Sequence, residues 1–284
     1  MGESIREKKV ALVTGASAGI GKAIVRRLLA DGWVVYGGAR RVEKMADIQS
    51  EGAKVVSLDV TDEQSMRTAV DFILSAEGRI DALVNNAGYG SYGAIEDVDL
   101  DEARRQFEVN VFGLARLTQL ALPSMREAGS GTIVNISSMG GRIWMPIGGW
   151  YHATKHALEV LSDALRLETK PFGIRVVVVQ PGAIESEWAE ISANNLEEQS
   201  TGSVYGAFVE PMAFLLRHYD TAASPDVVAH AVSKAVNSRK PRRRYATPMD
   251  AKIGVFIRWL VPDAIWDRMI ETAFKVAGRR ARKG

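Results

Sequence analysis

The sequence predicts an α/β fold organised on one doubly wound parallel sheet. Three observations lead there. Short, almost wholly apolar runs of strand length alternate with stretches of helical periodicity, the pattern of strands buried on both faces and joined by crossover helices. The first run, Val10-Ala-Leu-Val13, passes through Thr14-Gly-Ala-Ser-Ala-Gly19-Ile-Gly21 into a helical stretch over about 22–30, the order that a phosphate-binding turn needs. No internal duplication interrupts the alternation, so a single sheet accounts for it.

The second predicted strand, 33–37, leads into Gly38-Ala39-Arg40-Arg41, beside the expected position of a dinucleotide's adenosine ribose. Two guanidinium groups without a carboxylate suit a 2′-phosphate, which favours NADP over NAD. A solvated pair starting the next helix is the competing reading. The third strand, 54–58, ends at Asp59, and a helix is expected over 62–76. A fourth, 80–84, runs into Asn85-Asn86-Ala87-Gly88. Small residues at the carboxyl edge of a sheet let a ligand approach the backbone, although a plain tight turn has the same composition. One long helix is expected over about 101–126, with Asn110 among Phe107, Val111, Leu114 and Leu117. Asparagine is an indifferent helix former, and a buried one needs its amide satisfied.

The fifth strand leads to Ser138, and beyond a loop rich in glycine and tryptophan comes Tyr151-His-Ala-Thr-Lys155. A helix is expected over 150–169, where positions i and i+4 share one face. A phenol with a pKa near 10 is a poor base at neutral pH, and a neighbouring ammonium lowers that value. With the Ser138 hydroxyl to hold a substrate oxygen, the trio suits proton transfer to or from an alcohol or carbonyl. The bland alternative is an exposed helix face near an unrelated serine. A sixth strand stops sharply at Pro181-Gly182. Over 185–219 the periodicity loosens and aromatic residues scatter among polar ones, which reads as a substrate lid or as ordinary core. Ser224-Pro225-Asp226 opens a helix to about 237, 242–247 reads as a seventh, edge strand, and a final amphipathic helix has a broad apolar face made by Ile265, Met269 and Ala273 with Trp266, Ile270 and Phe274.

Composition narrows the classes further. At 46% hydrophobic and 25% charged, the chain reads as globular. It has no cysteine and no His-Glu-x-x-His, so neither disulfides nor a metal centre are expected. The charged first nine residues lack a secretory signal's apolar stretch, and no run reaches the ~18 residues of a membrane span, so a cytoplasmic location is expected. Net charge is +2, but from Arg239 onward 13 basic residues face 4 acidic ones. This tail could pack over a substrate pocket or a subunit interface, or rest its apolar face on an anionic membrane. Nucleic-acid binding is not expected, because Pro241 and Tyr245 suggest an edge strand beside a solvated basic run.

Thr14-Gly15-x-x-x-Gly19-x-Gly21, Asp59, Asn85-Asn86-Ala87-Gly88, Asn110, Ser138, Tyr151-x-x-x-Lys155 and Pro181-Gly182, in this order over about 8–247, resemble the short-chain dehydrogenase/reductase family. The resemblance implies a Rossmann fold that moves hydride between NAD(P) and an alcohol or carbonyl carbon, with 1–247 as the catalytic domain and 248–284 as its C-terminal helical extension. It implies Tyr151 as the acid/base, Lys155 lowering its pKa and bonding the nicotinamide ribose, Ser138 orienting the substrate oxygen, and Asn110 positioning a water that relays protons to Lys155. Gly15, Ser17, Gly19, Ile20 and Gly21 would line the pyrophosphate, and Asp59 the adenine. Asn86, Ala87 and Gly88 would border the cofactor at the fourth strand, and Pro181, Gly182, Ile184 and Ser186 the nicotinamide. Arg40 and Arg41 look like the NADP-preferring members.

The tail is similar to that of steroid or retinol dehydrogenase-like members, which take bulky apolar substrates, and Tyr89, Tyr92, Trp144, Trp150 and Trp188 fit an apolar pocket. A homodimer or homotetramer is also implied. The alternative class is an NADP(H)-sensing binding protein with the same fold and no turnover, against which the intact Ser, Tyr, Lys and Asn set argues, since a sensor needs no general acid.

Overall fold

The computed structural model describes residues 8–185, 187–217 and 222–282, the side chains of Glu187 and Trp188 excepted. Seven strands form one parallel sheet: β1 (Val10–Thr14), β2 (Val34–Ala39), β3 (Lys54–Ser57), β4 (Ala82–Asn85), β5 (Gly131–Ile136), β6 (Ile174–Pro181) and β7 (Arg244–Thr247), in the order β3-β2-β1-β4-β5-β6-β7. Every pairing is parallel. The order reverses between β1 and β4, so the crevice lies outside their carboxyl ends.

Alternation along the strands explains why they read as continuous apolar runs. Ala11 and Val13 face one core, with Val84, Val134 and Val177, under α1 (Gly19–Ala30) and Val228 and Val232 of a later helix. Val10 and Leu12 face the other, with Leu83, Ile133 and Val176, under α3 (Glu63–Glu77) and residues 117–125. A short α2 (Ala46–Ser50) lies between β2 and β3.

The long helix expected over 101–126 is interrupted. α4 (Leu100–Phe107) passes into a π turn at Glu108–Gly113 before α5 (Leu114–Glu127). Asn110 sits in that widened turn and is buried. The physical reason is satisfaction of its amide: Asn110 Nδ2 donates to the Tyr89 carbonyl (2.9 Å) and to Thr154 Oγ1 (3.1 Å), while Oδ1 accepts from Tyr89 N–H (3.0 Å). A single-turn π segment at a polar residue often marks a functional position.

After α6 (Gly149–Thr169), the described residues of 185–219, the stretch whose periodicity loosens, form two helices, α7 (Glu187–Gln199) and α8 (Gly206–Arg217). α9 (Asp226–Asn237) follows, and Ser224 Oγ accepts the Asp226 N–H at its start (3.2 Å). Past β7, the tail makes α10 (Met249–Leu260) and α11 (Asp263–Ala281). Only half of the broad apolar face expected of α11 is covered. Trp266 and Phe274 are buried, whereas Ile265, Met269 and Ala273 are exposed.

Candidate active site

The glycine loop is shaped by two close approaches. Gly15 has φ +67°, and a Cβ on Gly21 would lie 2.2 Å from the Gly15 carbonyl oxygen, so α1 can begin against the loop only with glycine there. Ala18 caps α1 without a side-chain hydrogen bond and no acidic residue occupies its first turn. The first-turn amide groups at Gly19, Ile20 and Gly21 therefore have no acceptor within the helix, the condition for receiving an anion. Ser17 and Gly19 also border a depression of about 560 Å³ on the Lys44 side. Thr14 ties the loop to the switch point: its Oγ1 accepts the N–H groups of Asn86 (3.0 Å) and Ala87 (2.8 Å). Asn86 Nδ2 donates to the carbonyls of Thr14 (2.9 Å) and Gly15 (3.3 Å). The Asn86 amide thus braces the loop.

Arg40 and Arg41 are exposed just past β2. Burial works against the charge on Asp59, yet hydrogen bonds from the Thr61 N–H (2.9 Å) and hydroxyl (2.8 Å), with Arg40 and Arg105 nearby, hold the carboxyl below its ordinary range. Tyr89 belongs to this same group. Its hydroxyl donates to Glu102 (2.9 Å), Arg105 lies over its ring, and burial with that carboxylate raises its pKa. Guanidinium groups around a pinned carboxylate, next to a glycine loop and a free helix N-terminus, fit a phosphorylated dinucleotide.

Tyr151, Lys155 and Asn110 are gathered at the edges of β4 and β5. Lys155 Nζ lies 5.9 Å from the Tyr151 ring centroid and donates to the Ile136 carbonyl at the end of β5 (3.0 Å). A Cβ on Gly88 would lie 3.0 Å from Asn110 Oδ1 and 3.6 Å from Lys155 Nζ, so a glycine keeps both within reach of the crevice. Thr154 joins the set, donating to the Tyr151 carbonyl (2.7 Å) and accepting from Asn110. Burial pushes the Lys155 ammonium down to about 8, with Glu159 one turn on working the other way. Ser138 stands at the start of a 3₁₀ turn, and its Oγ accepts the Gly140 N–H (3.0 Å), which leaves its own hydrogen to donate.

On the far side, Gly182 and Ala183 follow β6. Ala183 N–H donates to Asp250 Oδ2 (2.8 Å), and a Cβ on Gly182 would lie 2.4 Å from that atom. Ile184 bridges to Ala223. Ser186 lies outside the described residues.

Of the aromatic residues expected in an apolar pocket, Tyr92 is there, its ring 5.5 Å from that of Tyr151. Three others are elsewhere. Tyr89 is held among charged partners; Trp144 packs on Trp266 (6.2 Å) and accepts its indole N–H; Trp150 lines a separate 260 Å³ groove with Leu100 and Phe112. Tyr89 and Trp144 follow partners distant in the chain, Glu102 for the one and Arg258 with Trp266 for the other, which composition does not show. The Trp188 side chain is not among those described. In their stead Tyr151 shares an apolar cluster with Ile147, Leu196 of α7, Met212 and Leu216 of α8 and Phe274 of α11. The tail therefore reaches this cluster through Phe274.

Several residues give no motif signal. Glu159, buried on α6, accepts from Gln180 (2.9 Å), Arg142 (3.2 Å) and Arg244 (2.8 Å), clamping the Ser138 loop, β6 and β7 to the Tyr151 helix. His152 fills the space between Gly140 and Gly148. Asn85, Asn135 and Ser162 form a buried chain from β4 to α6. Among the described residues there is no cluster able to hold a metal and no helix long and apolar enough to cross a membrane.

Comparison with known proteins agrees with this geometry. A family model described as short chain dehydrogenase matches residues 9–197, and the chain belongs to the short-chain dehydrogenase/reductase family. A Helicobacter pylori protein named a probable short-chain type dehydrogenase/reductase is 34% identical over 272 residues, covering 95% of this chain and 99% of its own. The 3-ketodihydrosphingosine reductase of Bacteroides thetaiotaomicron is 33% identical over 275 residues, covering 95% and 98%. A crystal structure of a short-chain dehydrogenase from Streptomyces avermitilis superimposes with TM-score 0.75 at 36% identity, covering 93% of this chain and 96% of that one. An alcohol dehydrogenase from Thermococcus sibiricus, solved with 5-hydroxy-NADP, gives TM-score 0.68 at 30% identity, with 85% and 95% covered. The chain is accordingly an oxidoreductase of this family.

Proposed function

We propose that this protein is an NADP(H)-dependent oxidoreductase that interconverts a hydrophobic alcohol and its carbonyl compound, with Tyr151 as acid/base. The observation that carries the reading is the double environment of Tyr151: its ring lies in an apolar cluster roofed by α7, α8 and α11, and a buried ammonium lies 5.9 Å from its centroid. An apolar wall binds the body of the substrate, and the cation stabilises the phenolate.

The nicotinamide, when bound, supplies or accepts the hydride. Arg40 and Arg41 would hold the 2′-phosphate, the α1 amide groups the pyrophosphate, and Asp59 would border the adenine. In the direction of reduction, Ser138 donates to the carbonyl oxygen and Tyr151 delivers its proton there. Lys155 keeps the resulting phenolate charge within reach, and Asn110, fixed in the π turn, positions a water that restores the proton through Lys155. The proteins that resemble this one support the cofactor and substrate: one was solved with an NADP derivative, and another is named for reducing 3-ketodihydrosphingosine. We extend that likeness to a long-chain carbonyl substrate.

The test is NADPH oxidation against long-chain ketones, steroids, retinoids, fatty aldehydes and small ketones. Turnover with an apolar member and a loss of roughly 10²- to 10⁴-fold in Tyr151→Phe are expected. Tight NADPH binding with no oxidation across the panel would instead identify a cofactor-sensing protein, and an unchanged rate in Tyr151→Phe would remove the tyrosine from the chemistry.

A further inference from the structure

The tail leaves a large apolar surface uncovered. On α10, Met249, Ile253, Phe256, Trp259 and Leu260 are 60, 51, 58, 79 and 62% exposed. At 100° per residue these five fall within an arc of about 120°. The opposite side is the one that packs: Ala251 is buried, and the Arg258 guanidinium lies 4.1 Å from the Trp144 ring centroid and 5.8 Å from that of Trp266. α11 repeats the division. Trp266 and Phe274 face inward, while Ile265, Met269 and Val276, 48, 41 and 45% exposed, form an outer strip. The two strips run into the same short turn at Val261 and Pro262.

We propose that this outer face of α10 and α11 docks the protein onto an anionic lipid bilayer surface. Charge chooses this occupant over a second copy of the chain. Arg268, Lys275 and Arg279 lie along one border of the α11 strip and Arg280 along the other, all exposed. Of the acidic residues of these helices, Asp250 is bonded to Ala183, Asp263 is paired with Arg258 and Glu271 offsets Lys275, while the exposed Asp267 falls on the side of α11 opposite the strip, so Arg268, Arg279 and Arg280 are left to border it. A two-fold contact made by this face would bring like charges together, whereas anionic headgroups neutralise them and the apolar side chains enter the acyl boundary. Tryptophan, the most exposed of the eight, is the residue type enriched at that boundary.

Docking also has a consequence for the site. Phe274, on the inner side of α11, is part of the cluster around Tyr151, so the helix that rests on lipid is also a wall of the pocket. Delivery of a bilayer-dissolved substrate along that wall rests on the function proposed above; docking itself does not.

The experiment is co-sedimentation of the full chain, without cofactor or substrate, with vesicles of phosphatidylcholine alone or with one quarter phosphatidylglycerol. The wild type is expected to pellet with the anionic vesicles at low salt and to partition at least tenfold less in 0.5 M salt. Phe256→Ser/Trp259→Ser and, separately, Arg268→Glu/Arg279→Glu/Arg280→Glu are expected to stay in solution while their circular dichroism and melting match the wild type. The proposal is overturned by failure of the wild type to pellet, by equal pelleting of either variant, or by equal binding to neutral vesicles. Concentration-dependent dimerisation that Phe256→Ser/Trp259→Ser abolishes in analytical ultracentrifugation would also overturn it, in favour of a second copy. Because no turnover is measured, an inactive protein that still docks would sink the proposed function alone.

Discussion

Lowering the pH should destabilise this protein through one residue before its carboxylates begin to titrate. His152 is 4% exposed. Its Nδ1 lies 3.1 Å from the Gly140 carbonyl, and Nε2 is buried without a partner. A second ring proton would therefore have no acceptor, and burial pushes the imidazole from 6.5 down to about 4, with the Gly140 carbonyl working the other way. The folded state then refuses a proton that the unfolded chain takes up below pH 6.5, so stability is complete above that value and is lost as pH falls toward 4. At about 1.4 kcal/mol per unit the full loss is roughly 3 kcal/mol, of which about 2 kcal/mol falls between pH 7 and 5. Urea unfolding of wild type and His152→Gln at pH 7, 6 and 5 measures it. The wild type should lose about 2 kcal/mol more than the variant over this interval. Equal slopes would refute the reasoning, since His156 and the carboxylates are common to both proteins.

Other consequences are measurable separately. Replacing Arg40 and Arg41 with Ser should weaken NADPH binding by roughly 10- to 100-fold and leave NADH little changed, as read by fluorescence titration, because only the 2′-phosphate loses its charged partners. Asp250→Ala leaves the Ala183 N–H without its acceptor at a cost of about 1–3 kcal/mol, and the cofactor KM should rise by about tenfold for each 1.4 kcal/mol that reaches the bound state. Glu159→Ala removes the buried acceptor shared by Gln180, Arg142 and Arg244, leaving Asp163 as the remaining carboxylate for both arginines, and should cost about 1–3 kcal/mol in urea unfolding. Glu159→Gln, which keeps the hydrogen-bonding shape, should cost less.

The parts of this molecule that were legible in its sequence are those where chemistry and spacing coincide over a few residues. Thr14 to Gly21 could be placed because glycine spacing reports a backbone geometry, and Tyr151 with Lys155 because four residues make one helical turn. A single doubly wound parallel sheet followed from the alternation of strands with helices. What was not legible depends on partners distant in the chain. Asn110 looked like an awkward residue in a continuous helix, and only the Tyr89 backbone, brought beside it by the β4 loop, explains why the helix widens there. Asp250 carried no signal, since its role is defined by an amide 67 residues earlier.

The tail illustrates the same limit from the other direction. Repeats of four gave α11 an apolar face but could not tell which half would be covered, because Trp266/Ile270/Phe274 and Ile265/Met269/Ala273 are equally periodic. Trp144 decides between them: its carbonyl accepts the Trp266 indole N–H and its ring meets Arg258, so both helices are turned by one residue of the loop before Tyr151. That fixes Phe274 against the Tyr151 cluster and leaves Ile265, Met269 and Val276 outside. Wall and uncovered surface are thus two sides of one orientation. Trp144→Ala should disturb the pocket and the outer face together, whereas substitutions at Phe256 or Trp259 should alter the outer face alone.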